Sequence, residues 1–135
     1  MSTIRRQVSI DASSRTIWQA LTTPDGLRAW LVDEARVDAR PGGRLVVKLK
    51  GQEAEDVGLI HVYRPTGRLE IHWDKAAAGP WSGGRTAFQI AVDGGETVVN
   101  VQHLNPAFED VAVRAVVDSG WKDALLRLRD GLEAG

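Results

Sequence analysis

Hydrophobic and polar positions change period along the chain, and each change marks an element. Ile4, Val8 and Ile10 alternate loosely with polar residues and predict a strand over 3–10. Ser13 or Ser14 is placed to cap a short helix holding Ile17, Trp18 and Leu21, since a hydroxyl accepts from the free amides of a first turn. Thr23-Pro24-Asp25 starts a second helix, with proline where a missing N–H does no harm, and that helix carries Leu27 and Trp30. The period then becomes two. Residues 32–39 predict a strand, and Arg40-Pro41-Gly42-Gly43 a type II turn. Leu45, Val47 and Leu49 alternate, a strand covers 56–64, Pro65-Thr66-Gly67 turns, and Leu69, Ile71 and Trp73 alternate with Glu70, His72 and Asp74. Phe88, Ile90 and Val92 lead into the hairpin turn Asp93-Gly94-Gly95-Glu96, and Thr97, Val99 and Val101 run on to His103.

From Asp110 to Leu132 the period is helical. Val113, Val116, Val117, Gly120, Trp121, Ala124, Leu125, Leu128 and Leu132 form one stripe. Arg114/Asp118, Asp118/Lys122 and Asp123/Arg127 stand four residues apart and predict ion pairs along the solvated face. An antiparallel sheet with one buried face needs a cover, and this helix is the only element large enough. The expectation is a single α+β domain over 1–135: one strand, two short helices, about six more strands and a long helix.

Composition narrows the class. Hydrophobic residues make up 43% and charged residues 26%, an ordinary globular balance. The net charge is −1 with no basic segment, which argues against nucleic acid as a partner. No apolar run is long enough for a membrane span, and no apolar signal core follows Arg5-Arg6, so the expected location is cytoplasmic. Cysteine is absent, which excludes disulfides and thiolate chemistry. No nucleophile elbow, zinc-binding His-Glu-x-x-His, Walker loop or dinucleotide fingerprint occurs, and no cofactor is implied. The three histidines do not share one face by strand parity, so no metal site is expected.

The order of elements and the residues along it resemble a known family. Ile10-Asp11-Ala12 leading to Trp18, Ala20-Leu21-Thr22-Thr23-Pro24, Trp30, Asp38 to Arg44, Gly58, Pro65 to Leu69, Trp73, Thr97, His103 and Gly120-Trp121 with Leu125 and Leu128 carry the likeness. Together they resemble the START-like superfamily, also called SRPBCC or birch-pollen-allergen-like. The similar branch is the one named after the activator of the 90-kDa heat-shock protein ATPase. The resemblance implies a helix-grip fold, in which a curved antiparallel sheet of about six or seven strands wraps around the C-terminal helix, with a hydrophobic cavity between them. It implies diverse roles, among them lipid and polyketide carriage, cyclisation, stress response and co-chaperone activity; fold alone does not choose among these. The Gly-rich segment from Lys75 to Gly84, with Trp81 inside it, departs from the branch.

The expected function is binding or sensing of a small hydrophobic ligand by a monomer or homodimer. The expected ligand-binding residues are Trp30, Val47, His61, Tyr63, Trp73, Phe88, Ile90, Val99, His103, Val117 and Trp121. Aromatic and aliphatic walls with few polar points make such a pocket. His103 is in phase with Val99 and Val101 and points inward. His61 depends on register, because a one-residue slip exchanges the faces of a strand. A long connection after Val62 places Leu59, His61 and Tyr63 inside. A tight turn at Thr66-Gly67 places Ile60 and Val62 inside and His61 across from His72. The family's longer connection favours the first. Asp38 and Arg40 share parity and read as an ion pair or as a carboxylate-binding arginine at a pocket mouth. Trp81 reads as an exposed lid or interface residue. Two alternatives stand beside ligand binding: a cyclase or hydrolase using His61, His103 or Tyr63 in the same cavity, and an interaction module centred on Trp81.

Overall fold

The computed structural model describes residues 3–134; Met1 and Ser2, part of the segment read above for a signal core, lie outside them. Strand β1 (Thr3–Ile10) is followed by helices α1 (Ser14–Thr22) and α2 (Pro24–Arg28). Six strands come next: β2 (Val32–Val37), β3 (Arg44–Leu49), β4 (Asp56–Arg64), β5 (Arg68–Trp73), β6 (Arg85–Asp93) and β7 (Glu96–Leu104). A short 3-10 turn (Pro106–Glu109) leads into helix α3 (Val111–Ala134). The strands form one antiparallel sheet in the order β1-β7-β6-β5-β4-β3-β2. Chain neighbours pair as hairpins from β2 onward, and β1 joins the far edge through β7. The two short helices carry the chain between the edges. This is the helix-grip arrangement: a curled sheet closed by α3.

Local chemistry explains the punctuation. Ser13 caps α1 by accepting from the Thr16 amide at 3.1 Å, and Thr23 caps α2 by accepting from the Gly26 amide at 3.0 Å. Gly42 takes φ +74° with the Gly43 amide donating to the Arg40 carbonyl at 2.9 Å, the type II turn expected from Pro41-Gly42. Gly94 and Gly95 both have positive φ between the paired Asp93 and Glu96, as a two-residue hairpin requires. Close packing has its own glycine. An added Cβ at Gly58 would lie 2.6 Å from Ile71 Cγ2 and 2.9 Å from the Trp73 ring. Gly58→Ala is therefore expected to cost about 1–3 kcal/mol by overpacking, measured as a shift in urea midpoint with unchanged slope.

Four expectations change. First, β4 follows neither register throughout. A bulge between Ile60 and Val62 pairs Ile60 with Ile71 but Tyr63 with Leu69. The extra residue reverses parity, so Ile60 is buried before the bulge and Tyr63 half-buried after it, while Leu59 and His61 face outward. His61 stacks on His72 there, ring centroids 4.3 Å apart. Second, Trp81 is not exposed: it is 7% accessible and packs within the core. Third, the expected pairs along α3 do not form. Asp118 is held by Arg6 of β1 at 2.8 Å and 3.0 Å, and that guanidinium keeps its carboxyl below the usual range. Arg114 donates to the Thr3 carbonyl at 2.8 Å and Arg127 to the Trp30 carbonyl at 3.0 Å, because main-chain acceptors on the sheet side outcompete solvated carboxylates. Fourth, the apolar stripe of α3 is buried only from Trp121 onward; Val113 and Val116 are exposed and Val117 half-buried.

Candidate ligand-binding cleft

The fourth change creates the site. Behind Trp121, Leu125 and Leu128, the space between α3 and the sheet is filled by large side chains. Trp30, Trp73, Trp81, Phe88, Phe108 and Trp121 are all at most 7% accessible. Ahead of Trp121 the helix stands clear and leaves a cleft of about 220 Å³. α3 contributes Val116, Val117, Gly120, Trp121, Ala124 and Arg127 to it. The facing wall is Leu31 after α2, Leu49 ending β3, Lys50 and Gln52 beyond it, and Pro80 with Trp81. The walls are indole and aliphatic; the polar groups are Lys50, Gln52 and Arg127, all exposed.

Trp81 is placed by an unusual loop. Asp56 opens β4 with a fully buried carboxyl that accepts from the Trp81 amide at 3.1 Å. Gly79 permits this, since a Cβ there would lie 2.3–2.5 Å from the Asp56 carboxyl group. The loop is clamped further by the Gly79 amide donating to the Glu55 carbonyl at 3.0 Å and the Gly83 amide to the Trp73 carbonyl at 3.2 Å. Burial pushes the Asp56 pKa up to about 6, against the Trp81 amide, which favours the charged form. The Trp81 indole then stacks on Trp121, centroids 5.1 Å apart and planes at 16°, with Trp73 and His103 edge-on at 5.4 Å and 4.6 Å.

His103 sits beneath this stack with no accessible surface, and burial pulls its pKa down to about 3, so the ring is neutral. Its Nδ1 lies 3.0 Å from Thr86 Oγ1, which also accepts from the Trp73 indole N–H at 2.9 Å. Assigning the Thr86 proton to Nδ1 satisfies both groups and leaves the ring proton on Nε2. Nε2 and the Trp121 Nε1 have no hydrogen-bond partner. Both are buried among aromatic rings, an environment that accepts N–H groups weakly.

Of the residues expected to bind ligand, the structure brings Val117 and Trp121 to the cleft. Trp30, Val47, Trp73, Phe88, Ile90, Val99 and His103 are buried in the packed interior and line no part of it. Tyr63 packs elsewhere against Trp18, centroids 5.4 Å apart, and His61 is on the outer face. The sequence reading missed Leu31, Leu49, Lys50, Gln52, Pro80 and Arg127 as lining residues, and had Trp81 in the wrong place. Val116, Gly120 and Ala124 were already visible in the α3 stripe and Leu49 in the β3 alternation. Lys50, Gln52 and Arg127 carried no signal, being charged or polar residues indistinguishable from a solvated face. Among the described residues no cluster of histidine and carboxylate side chains could hold a metal, and no helix is long and apolar enough to cross a membrane.

Comparison with known proteins agrees with this architecture. The solution structure of the Aha1 dimer from Colwellia psychrerythraea superposes with a TM-score of 0.81 at 27% identity, covering 98% of this chain and 97% of that one. CalU16 from Micromonospora echinospora matches with a TM-score of 0.72 at 25% identity over 94% of this chain and 71% of its own. The AHSA1-like protein from Aeromonas hydrophila, at 22% identity, shares the fold with a TM-score of 0.76 over 98% and 92% of the two chains. No curated protein matches the sequence significantly. Residues 11–133 match the family described as Activator of Hsp90 ATPase homolog 1-like protein, which spans every element from the end of β1 to the end of α3, and the chain belongs to that family.

Proposed function

We propose that the protein binds a small apolar molecule in the cleft between α3 and the Trp81 loop. The observation that carries this is the cleft itself: about 220 Å³ walled by two stacked indoles and aliphatic side chains, with polar groups only at its mouth. A site with apolar walls and a few polar groups is what small-molecule recognition needs. Burying ~200 Å² of apolar ligand surface at ~25 cal/mol per Å² contributes about 5 kcal/mol before ordering costs, which on its own supports an affinity of roughly 0.2 mM or weaker, so polar contacts at the mouth must supply the rest of any tighter binding. Membership of a family with a helix-grip fold supports the reading at the level of class. The interaction-module alternative loses its sequence support, because Trp81 is buried. The dimeric Colwellia relative supports a homodimer as one assembly state.

Gly120 supplies the test. A Cβ at Gly120 or at Gly131 would meet no atom within 4 Å, but only Gly120 lines the cleft. Gly120→Leu and Gly131→Leu are both expected to stabilise α3, by up to about 1 kcal/mol as glycine leaves a helix interior. Two-ring aromatic compounds should raise the melting temperature of the wild type and of Gly131→Leu, and leave Gly120→Leu unmoved. Equal shifts in both variants would place binding outside this cleft, and no shift in the wild type would overturn the reading.

A further inference from the structure

We propose that the occupant is a small aromatic monocarboxylate, its ring in the cleft against the wall formed by the stacked Trp81 and Trp121 and its anionic end held at the mouth by Lys50 and Arg127; this rests on the binding reading above. The two cations reach the cleft from different elements, one just beyond β3 and the other on α3. Each is anchored by one main-chain bond: Lys50 Nζ donates to the Arg28 carbonyl at 3.2 Å, and Arg127 Nε to the Trp30 carbonyl at 3.0 Å. Those bonds hold the stems beside the cleft and leave two ammonium donors and the terminal guanidinium nitrogens uncommitted. Neither residue forms an ion pair with any described carboxylate. No aspartate or glutamate lines the cleft.

An apolar site whose mouth carries two positive charges and no negative one selects an anion. A guanidinium edge with free terminal nitrogens matches a carboxylate better than a single-point acceptor. Size limits the apolar part. An engineered cavity of roughly 150 Å³ takes a benzene ring, so about 220 Å³ open at one side holds a two-ring aromatic. The carboxylate-binding role considered for Arg40 does not apply, since Arg40 is paired with Asp38 at 2.7 Å and lines no part of the cleft.

The experiment is calorimetric titration of the wild-type protein at low ionic strength with 2-naphthoate and its neutral analogue 2-naphthamide. The carboxylate is expected to bind about tenfold tighter or more, since hydrogen bonds to charged partners exceed neutral ones. Lys50→Gln, at an exposed position, and Arg127→Gln should each reduce that preference severalfold, with 2-naphthoate affinity falling further than 2-naphthamide affinity. Equal affinity for the two compounds overturns the anion preference and leaves the cleft reading standing. Failure of both to bind overturns the proposal together with the cleft reading. A preference that persists in both variants places the anion site elsewhere and also overturns it.

Discussion

Trp81→Ala is expected to lower the unfolding free energy by about 3–5 kcal/mol, a large share of the 5–15 kcal/mol typical of a whole domain. The indole is 7% accessible and touches Trp73, His103 and Trp121. Its removal deletes one partner of the stack and leaves a hole beside the His103 and Trp121 rings. Surrounding groups cannot collapse freely, because the loop is pinned at Asp56 and Glu55. Trp81→Phe keeps an aromatic plate and should cost clearly less. Urea denaturation of both variants decides the matter. A loss below about 1 kcal/mol for the alanine variant would mean that the loop from Asp74 to Gly84 does not clamp onto the core in solution.

The second large effect is a cancellation. Between about pH 4.5 and 6 the unfolded chain carries a proton on His103, of ordinary pKa 6.5, that the folded chain rejects down to about 3. Stability from this group rises with pH across that window. Asp56 runs the other way. Its pKa is about 6 folded against 3.8 unfolded, so the folded chain keeps a proton that the unfolded chain has released, and stability falls as pH rises. Each slope is about 1.4 kcal/mol per pH unit, and the two nearly cancel each other over that window. Asp56→Asn should expose the His103 slope and lose about 2 kcal/mol on going from pH 6 to 4.5. His103→Gln should show the opposite trend. Denaturant titrations at several pH values read both, and parallel profiles for wild type and Asp56→Asn would refute the opposition of the two groups.

Most of the fold was legible in the chain because its sheet buries one face. Alternation at Leu69, Ile71 and Trp73, and again at Val99, Val101 and His103, reports that burial directly, and the turn glycines mark where it is interrupted. The bulge in β4 was not legible. It is a one-residue defect in pairing between two strands, and nothing in the composition around His61 distinguishes it from regular strand. Trp81 was misplaced for a related reason: its position depends on a carboxylate in a different segment, Asp56, whose burial has no local signature. The helical stripe predicted α3 well, but an apolar stripe states only which side of a helix is apolar. It does not state how far along the helix the sheet reaches.

The core anchors of α3 lie at Trp121, Ala124, Leu125 and Leu128, whereas three of the cleft's helical positions, Val116, Val117 and Gly120, precede the first anchor. The leading half of the helix is moored to β1 by Arg6–Asp118 and by Arg114 on the Thr3 carbonyl, with Val117 half-buried against the core. Substitutions at the exposed Val116 and Gly120 reshape the cleft without removing a core contact, so their effects on folding and on recognition are close to independent. One helix thus carries part of the cleft wall in a stretch with few structural obligations, and Val116 and Gly120 can vary while the anchors from Trp121 onward stay constrained.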